Sequence, residues 1–163
     1  MRTFGIALVL SAAIASPAAG QSSSADVLPA VFMGSVQSIV PPDRSGAWTL
    51  QIISRGGLTG RGAGDVVVVS DGSVRRAADR GSSSLRPEDL TSLTRRIRAA
   101  NLSQWHGSLL DSCNDCFATL LVLTLRGDDG VVRTYTAYWD SATRARIPPE
   151  VLQIHDLAVN PLR

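Results

Sequence analysis

The sequence predicts an α+β domain: an antiparallel sheet of four to five strands, with one main helix packed on a face and a short C-terminal helix. Three observations lead to this prediction. Strand-like apolar segments come first, one amphipathic helical segment follows them, and two long strand-like segments come after it. The order of strands, helix, strands and helix is typical of an antiparallel sheet with its main helix on one face.

The strands before the helix are short and are separated by turn residues. Trp48, Leu50 and Ile52 alternate with other residues and share one face, as expected of a strand. Asp71 and Gly72 form a tight hairpin signal between two of the segments. The predicted strands are residues 47–54, 65–70 and 73–77, and residues 30–40 read as a further strand.

Residues 85–102 form the clearest helical segment. Pro87 suits the first helical position, and Glu88 and Asp89 face the positive end of the helix dipole. The apolar stripe consists of Leu90, Leu93, Ile97 and Ala100.

Three arginines, Arg95, Arg96 and Arg98, gather near the negative end of this helix. They could form a binding patch. A solvated face that complements the helix dipole is the favoured interpretation.

Two long strands and a short helix complete the domain. The segment Phe117–Arg126 is apolar on both faces, which predicts a central strand. Residues 127–130 turn the chain, and residues 131–140 return as its antiparallel partner. Residues 147–159 predict a short helix or turn, with Pro149 near its start.

The N-terminal residues predict export. Arg2 is followed by an apolar run over residues 4–15 and by the small residues Ala18, Ala19 and Gly20, a signal-peptide pattern too short for a membrane span. A buried N-terminal helix is the alternative, but neither caps nor an amphipathic period support it. The expected organisation is a signal peptide at 1–20, a tail and linker at 21–46 and a domain at 47–163, located in the periplasm or secreted.

The charge balance argues against polyanionic partners. The net charge is +2, and every basic residue is arginine. This balance gives no electrostatic case for nucleic acid or an anionic membrane, and the chain is predicted to be a monomer.

The two cysteines, Cys113 and Cys116, predict a disulfide, which is the default in an exported protein. A redox site is disfavoured because the pair precedes a strand instead of opening a helix. A zinc site would also need His106 and His155, whose spacing matches no common zinc motif.

No catalytic or cofactor motif is present. The sequence lacks a nucleophile elbow and a His-Glu-x-x-His motif, and half of its 14 acidic residues lie in predicted turns and caps. We therefore predict no catalytic residue, no metal and no cofactor. A hydrolase that uses His106 or His155 is the weakest of the functional hypotheses.

A glycine-rich segment lies within residues 54–65, between the first two strands of the domain. It contains no lysine and is followed by four valines instead of a helix, so it does not match a phosphate-binding loop. The remaining interpretations are a slack connector or a loop that displays Leu58 to a partner, and Leu58 could equally tuck back onto the core. The candidate partner-binding residues are Gly56, Gly57, Leu58, Thr59 and Gly60.

The chain resembles the emfourin-like family, small bacterial proteinaceous inhibitors of thermolysin-like metalloproteases. The matching stretches occur in family order and are residues 54–60, 66–74, 85–102, 117–140 and 147–157. Arg55 interrupts the Ser-Gly-Gly pattern of the family, and Leu58 stands where an aromatic residue is usual.

The resemblance implies an α+β fold, no cofactor and an inhibitory or binding role. The leading hypothesis is therefore a secreted or periplasmic domain that binds protein and sterically inhibits a metalloprotease through its glycine-rich loop. The alternative is a non-catalytic accessory or structural domain of the cell envelope.

Overall fold

The fold is an α+β arrangement of one sheet and two helices, seen in a computed structural model that describes residues 29–32, 41–56, 65–76, 83–109 and 116–160. The strands are β1 Trp48–Gly56, β2 Val66–Val69, β3 Ser73–Arg76, β4 Ser83–Ser84, β5 Gly107–Ser108, β6 Phe117–Arg126 and β7 Val132–Asp140. The helices are α1 Pro87–Ala99 and α2 Pro149–Val159, with single 3-10 turns at Ala30–Phe32, Leu102–Gln104 and Arg144–Arg146.

The seven strands form one mixed sheet in the order β4-β3-β2-β1-β6-β7-β5. All pairs are antiparallel except β5 and β7, which run parallel. The predicted α+β class is confirmed, but four to five antiparallel strands is an underestimate. β4 and β5 have two residues each, too few to show the alternation by which a strand is recognised in sequence.

Both helices cover the same face of the sheet. Leu50 of β1 and Leu123 of β6 lie opposite each other and pack in one cluster with Leu93 of α1 and Ile154 of α2. All four side chains are fully buried, so this layer is the main core. The predicted packing of the main helix on one face is therefore confirmed, and α2 completes the same layer.

The opposite face has a smaller core that includes Phe32. This ring packs with Ile53 and Leu120, and its centroid lies 6.5 Å from that of Tyr138. The prediction of a strand over residues 30–40 is wrong for Ala30–Phe32, which forms a 3-10 turn, and residues 33–40 lie outside the described part of the chain. The turn lets Phe32 contact the sheet side-on without adding a strand to it.

The centre of this second face contains a buried amide. Gln51 is fully buried on β1, between Val67 and Val122 on the neighbouring strands. Neither its Nε2 nor its Oε1 atom has a hydrogen-bond partner among the described residues. Leaving buried polar atoms unpaired costs stability, so Gln51 is a weak point of the core.

The sheet has two ends with different connections. At the glycine-loop end, β1 ends at Gly56, β2 begins at Val66, β6 begins at Phe117 and β7 ends at Asp140. At the turn end lie the connections 70–72 and 127–130, which join β2 to β3 and β6 to β7. The glycine-rich segment of residues 57–64 thus leaves and re-enters the sheet at the glycine-loop end.

Candidate functional site

The predicted partner-binding and disulfide residues fall at the glycine-loop end, and the structure describes two of them, Gly56 and Cys116. The others, Gly57, Leu58, Thr59, Gly60 and Cys113, lie outside the described residues. The geometry therefore concerns the base of the glycine-rich segment.

An ion pair closes this base. Arg55 Nη1 lies 2.5 Å from Asp65 Oδ1, and Nη2 lies 3.0 Å from Oδ2, so the guanidinium binds the carboxylate at two points. Arg55 Nη1 also donates to the carbonyl oxygen of Ser54 at 2.9 Å. The two residues flank the glycine-rich segment, Arg55 on β1 and Asp65 directly before β2, so their contact fixes the separation of its two ends.

The ion pair is partly shielded from water. The side chains of Arg55 and Asp65 are 23% and 11% exposed, which places the pair between a surface salt bridge and a buried one. The hydrogen bond that Arg55 donates to the Asp65 carboxylate is the main cause that raises the pKa of Arg55.

Gly56 follows directly and has a conformation that suits glycine. Its φ angle is +98°, in the region that L side chains rarely adopt. A Cβ atom at this position would lie 2.3 Å from the carbonyl oxygen of Cys116. The glycine is therefore needed for both its backbone angle and its close approach to the neighbouring strand.

Cys116 occupies the other side of this approach. It is disulfide-bonded and carries no free thiol, but Cys113 is not among the described residues, so the bridge between the two stays a prediction. The next residue, Phe117, pairs with Gly56 in the sheet register. Phe117 is 53% exposed, and it is one of three large apolar residues that are exposed in the described ranges.

A tight turn after β7 completes the glycine-loop end. Asp140 Oδ1 accepts hydrogen bonds from the backbone N–H groups of Ala142 at 2.9 Å and Thr143 at 2.7 Å. The Thr143 hydroxyl lies 2.5 Å from the carbonyl oxygen of Ser108 on β5. Because Asp140 and Thr143 are both buried, this turn gives the end of the sheet a rigid platform.

The two histidines lie elsewhere. His106 Nδ1 is 2.8 Å from the carbonyl oxygen of Gln104 within its own turn. His155 on α2 stacks edge-on against Trp139, with ring centroids 5.4 Å apart, and its Nδ1 is 2.9 Å from Asp156 Oδ1. Among the described residues, no cluster of three or more His, Cys, Asp or Glu side chains could hold a metal ion.

Asp156 also forms an ion pair with Arg144. Burial pushes the pKa of this carboxyl upward, but the hydrogen bonds from His155 and Arg144 outweigh burial and lower the pKa overall. The cluster contributes to the packing of α2 against the turn that contains Arg144, since Arg144 Nη2 lies 3.1 Å from Asp156 Oδ1.

Sequence reasoning missed two features of the glycine-loop end. In the sequence Arg55 stands out only as an interruption of a family pattern, whereas in the structure it forms the ion pair with Asp65. Phe117 was read as the first residue of a central, buried strand, although its side chain is largely exposed. The opposite charges at the two flanks of the glycine-rich segment were the one signal that could have predicted the pair.

No helix in the described ranges is long and apolar enough to cross a membrane. Comparison of the chain with protein-family models, with curated proteins and with solved structures found no match. The resemblance to the emfourin-like family therefore stays a prediction from the sequence.

Proposed function

We propose that this chain is a secreted or periplasmic protein-binding domain that sterically inhibits a thermolysin-like metalloprotease through residues 57–64. The observation that carries the proposal is that both ends of this segment are held. The ion pair between Arg55 and Asp65, with nitrogen–oxygen distances of 2.5 and 3.0 Å, holds its two flanks together, and Gly56 packs against the carbonyl group of Cys116. A binding segment held at its base loses less conformational entropy when it meets a partner.

The role of Leu58 follows from its place in this segment. Leu58 is the one large apolar side chain in residues 57–64, and it serves as an anchor for an apolar specificity pocket. The neighbouring glycines, without side chains, let their backbone N–H and C=O groups approach and pair with the enzyme. The mechanism is occupation of the cleft, so the inhibitor supplies no catalytic residue and no cofactor.

Phe117 supplies a second apolar contact in this proposal. It lies beside Gly56 in the sheet register and is 53% exposed, at the same end as the glycine-rich segment. Exposed aromatic side chains near a loop that binds protein are common sites of contact energy. A partner that takes Leu58 would therefore cover Phe117 as well.

The proposal is tested by titrating the purified chain against thermolysin and related enzymes with a peptide substrate. We expect stoichiometric inhibition, and Leu58→Asp should abolish it because a carboxylate is costly in an apolar pocket. Val131→Asp is the matched control: Val131 is 50% exposed, at the turn end of the sheet, and this variant should inhibit like the wild type.

Two results would contradict the proposal. No slowing of several such enzymes at micromolar excess of the wild-type chain would favour a non-catalytic accessory or structural domain of the envelope. Equal inhibition by Leu58→Asp and the wild type would place the contact outside residues 57–64.

A further inference from the structure

A groove runs along the exposed side of α1 at the turn end of the sheet. The glycine-rich segment lies at the opposite end of β2. Its volume is about 590 Å³, within the range of sites that hold small ligands or a few residues of a peptide. The lining residues are Ser70 after β2 and Leu90, Thr91, Thr94, Arg95, Arg98 and Ala99 of α1. Thr91, Thr94, Arg95 and Arg98 follow the three- and four-residue spacing of one helix stripe.

The cations of this groove have no counter-ion in the part of the chain that the structure describes. Arg95 and Arg98 are exposed, and neither forms a hydrogen bond or ion pair with any described residue. Arg86 at the start of the same helix differs, since its Nε lies 2.7 Å from Asp89 Oδ2. Two guanidinium groups one helical turn apart, with no ion pair to any described residue, can each bind a carboxylate at two points.

The remaining lining groups are both polar and apolar. No described residue bonds the hydroxyl groups of Ser70 and Thr94, which are therefore available as donors, whereas the Thr91 hydroxyl donates to the carbonyl oxygen of Pro87 at 2.8 Å. Leu90 and Ala99 provide apolar surface. A ligand that fits this lining carries carboxylates together with apolar side chains.

We propose that this groove docks an acidic segment of a protein partner, with two carboxylates on Arg95 and Arg98 and an apolar side chain on Leu90. A dense polyanion fits less well. The charge comes from two arginines only, whereas binding of a polyanion relies on neutralising many phosphates at once.

The groove is independent of the proposed inhibitory contact. Ser70 follows the C-terminal end of β2, and Asp65 precedes its N-terminal end, so the two surfaces lie at opposite ends of the sheet. A partner held through the groove leaves the glycine-loop end free. Failure of one proposal leaves the other standing, because Leu58 and the arginines are changed in separate variants.

The test uses the full chain and a fluorescein-labelled peptide of alternating leucine and glutamate. We expect saturable binding by fluorescence anisotropy, with NMR shifts of the α1 amide signals around Thr94. Arg95→Ala and Arg98→Ala should each weaken binding by about fivefold or more, as expected for the loss of a charge-assisted hydrogen bond. Arg96→Ala is the matched control, because Arg96 is exposed on the same helix but does not line the groove.

Three further arms make the result decisive. The same peptide with glutamine in place of glutamate should bind far more weakly, and so should inorganic phosphate and a thymidine oligonucleotide. The proposal is overturned by no saturable binding at up to about 1 mM peptide, a weak affinity. It is equally overturned by an effect of Arg96→Ala as large as that of Arg98→Ala, or by tighter binding of the oligonucleotide than of the acidic peptide.

Discussion

Arg55 and Asp65 join the end of β1 to the start of β2 through a two-point ion pair of 2.5 and 3.0 Å. Continuing the β1–β2 register by one residue beyond the Ile52–Val66 pair places Asp65 opposite Ile53. Arg55 lies two residues further along β1 on the same face, so its side chain reaches Asp65 diagonally. The pair thus holds together the two strand ends between which the glycine-rich segment runs.

Removing the guanidinium should destabilise the domain. Arg55→Met leaves the Asp65 carboxylate, whose residue is only 9% exposed, without its main cation. We expect the free energy of unfolding in urea to fall by about 1–2 kcal/mol, less than for a fully buried pair because Arg55 is partly solvated. Arg55→Met combined with Asp65→Asn should recover part of this loss, since no unpaired charge remains. A loss of unfolding free energy in the double variant that exceeds the summed losses of the two single variants would contradict a direct ion pair.

Gly56 should tolerate a side chain worse than another glycine of similar backbone angle. Gly56 and Gly130 have φ angles of +98° and +75°, but only Gly56 has an atom near its Cβ position, the Cys116 carbonyl oxygen at 2.3 Å. Gly130→Ala should cost about 1 kcal/mol of stability for the backbone angle alone. Gly56→Ala should cost clearly more, because β1 and β6 must also move apart. Equal losses in thermal unfolding would show that the close approach is not maintained in solution.

Gln51 offers a stabilising substitution. Its amide is fully buried on β1, and no described residue bonds its Nε2 or Oε1 atom. Gln51→Met keeps a similar volume and removes the unpaired polar atoms, so the free energy of unfolding should rise by about 1 kcal/mol or more. Leu50→Met, on the opposite face of the same strand, is the control and should lower stability slightly. A loss of stability in Gln51→Met would mean that the amide is satisfied in solution.

Long, patterned elements could be predicted from the sequence, and short ones could not. β6 spans Phe117–Arg126 as predicted, because a mainly apolar ten-residue segment is bounded by a cysteine pair and a turn. β4 and β5 were missed, since a two-residue strand exists only through its neighbour, Ser73 and Val74 for β4 and Tyr138 and Trp139 for β5. Such pairing depends on tertiary packing, which no local pattern encodes.

The candidate site was predictable in part for a related reason. Glycine content alone pointed to Gly56, and its positive φ angle agrees with the conformational freedom that was inferred. The contact between Arg55 and Asp65 needed the β1–β2 register, in which Ile52 pairs with Val66. The groove on α1 needed the position of Ser70 against the helix, so the arginine group alone suggested a solvated face.

Asp129 at the β6–β7 turn should have a low pKa that depends on one arginine. The hydrogen bond from Arg133, followed by that from the backbone N–H of Val131, lowers the pKa of Asp129 to about 2. A depressed pKa stabilises the fold at a pH above the ordinary carboxyl value of about 3.9, and this contribution is lost as the pH falls through about 2. Acid should therefore weaken this turn progressively as the pH falls from about 3.9 to about 2.

Carboxyl NMR titration of the wild type and of Arg133→Gln checks this prediction. The variant should raise the pKa of Asp129 toward its ordinary value, because the largest cause of the shift is removed. Asp71 is the internal control: its pKa is lowered mainly by the backbone N–H of Ser73, so it should not respond to the change at Arg133. The stability difference between the two proteins should be largest near neutral pH and vanish only well below the wild-type pKa of about 2, where Asp129 is protonated in both. An Asp129 pKa that is ordinary in the wild type, or unmoved in Arg133→Gln, would show that the contact does not persist in water, where both side chains are about half exposed.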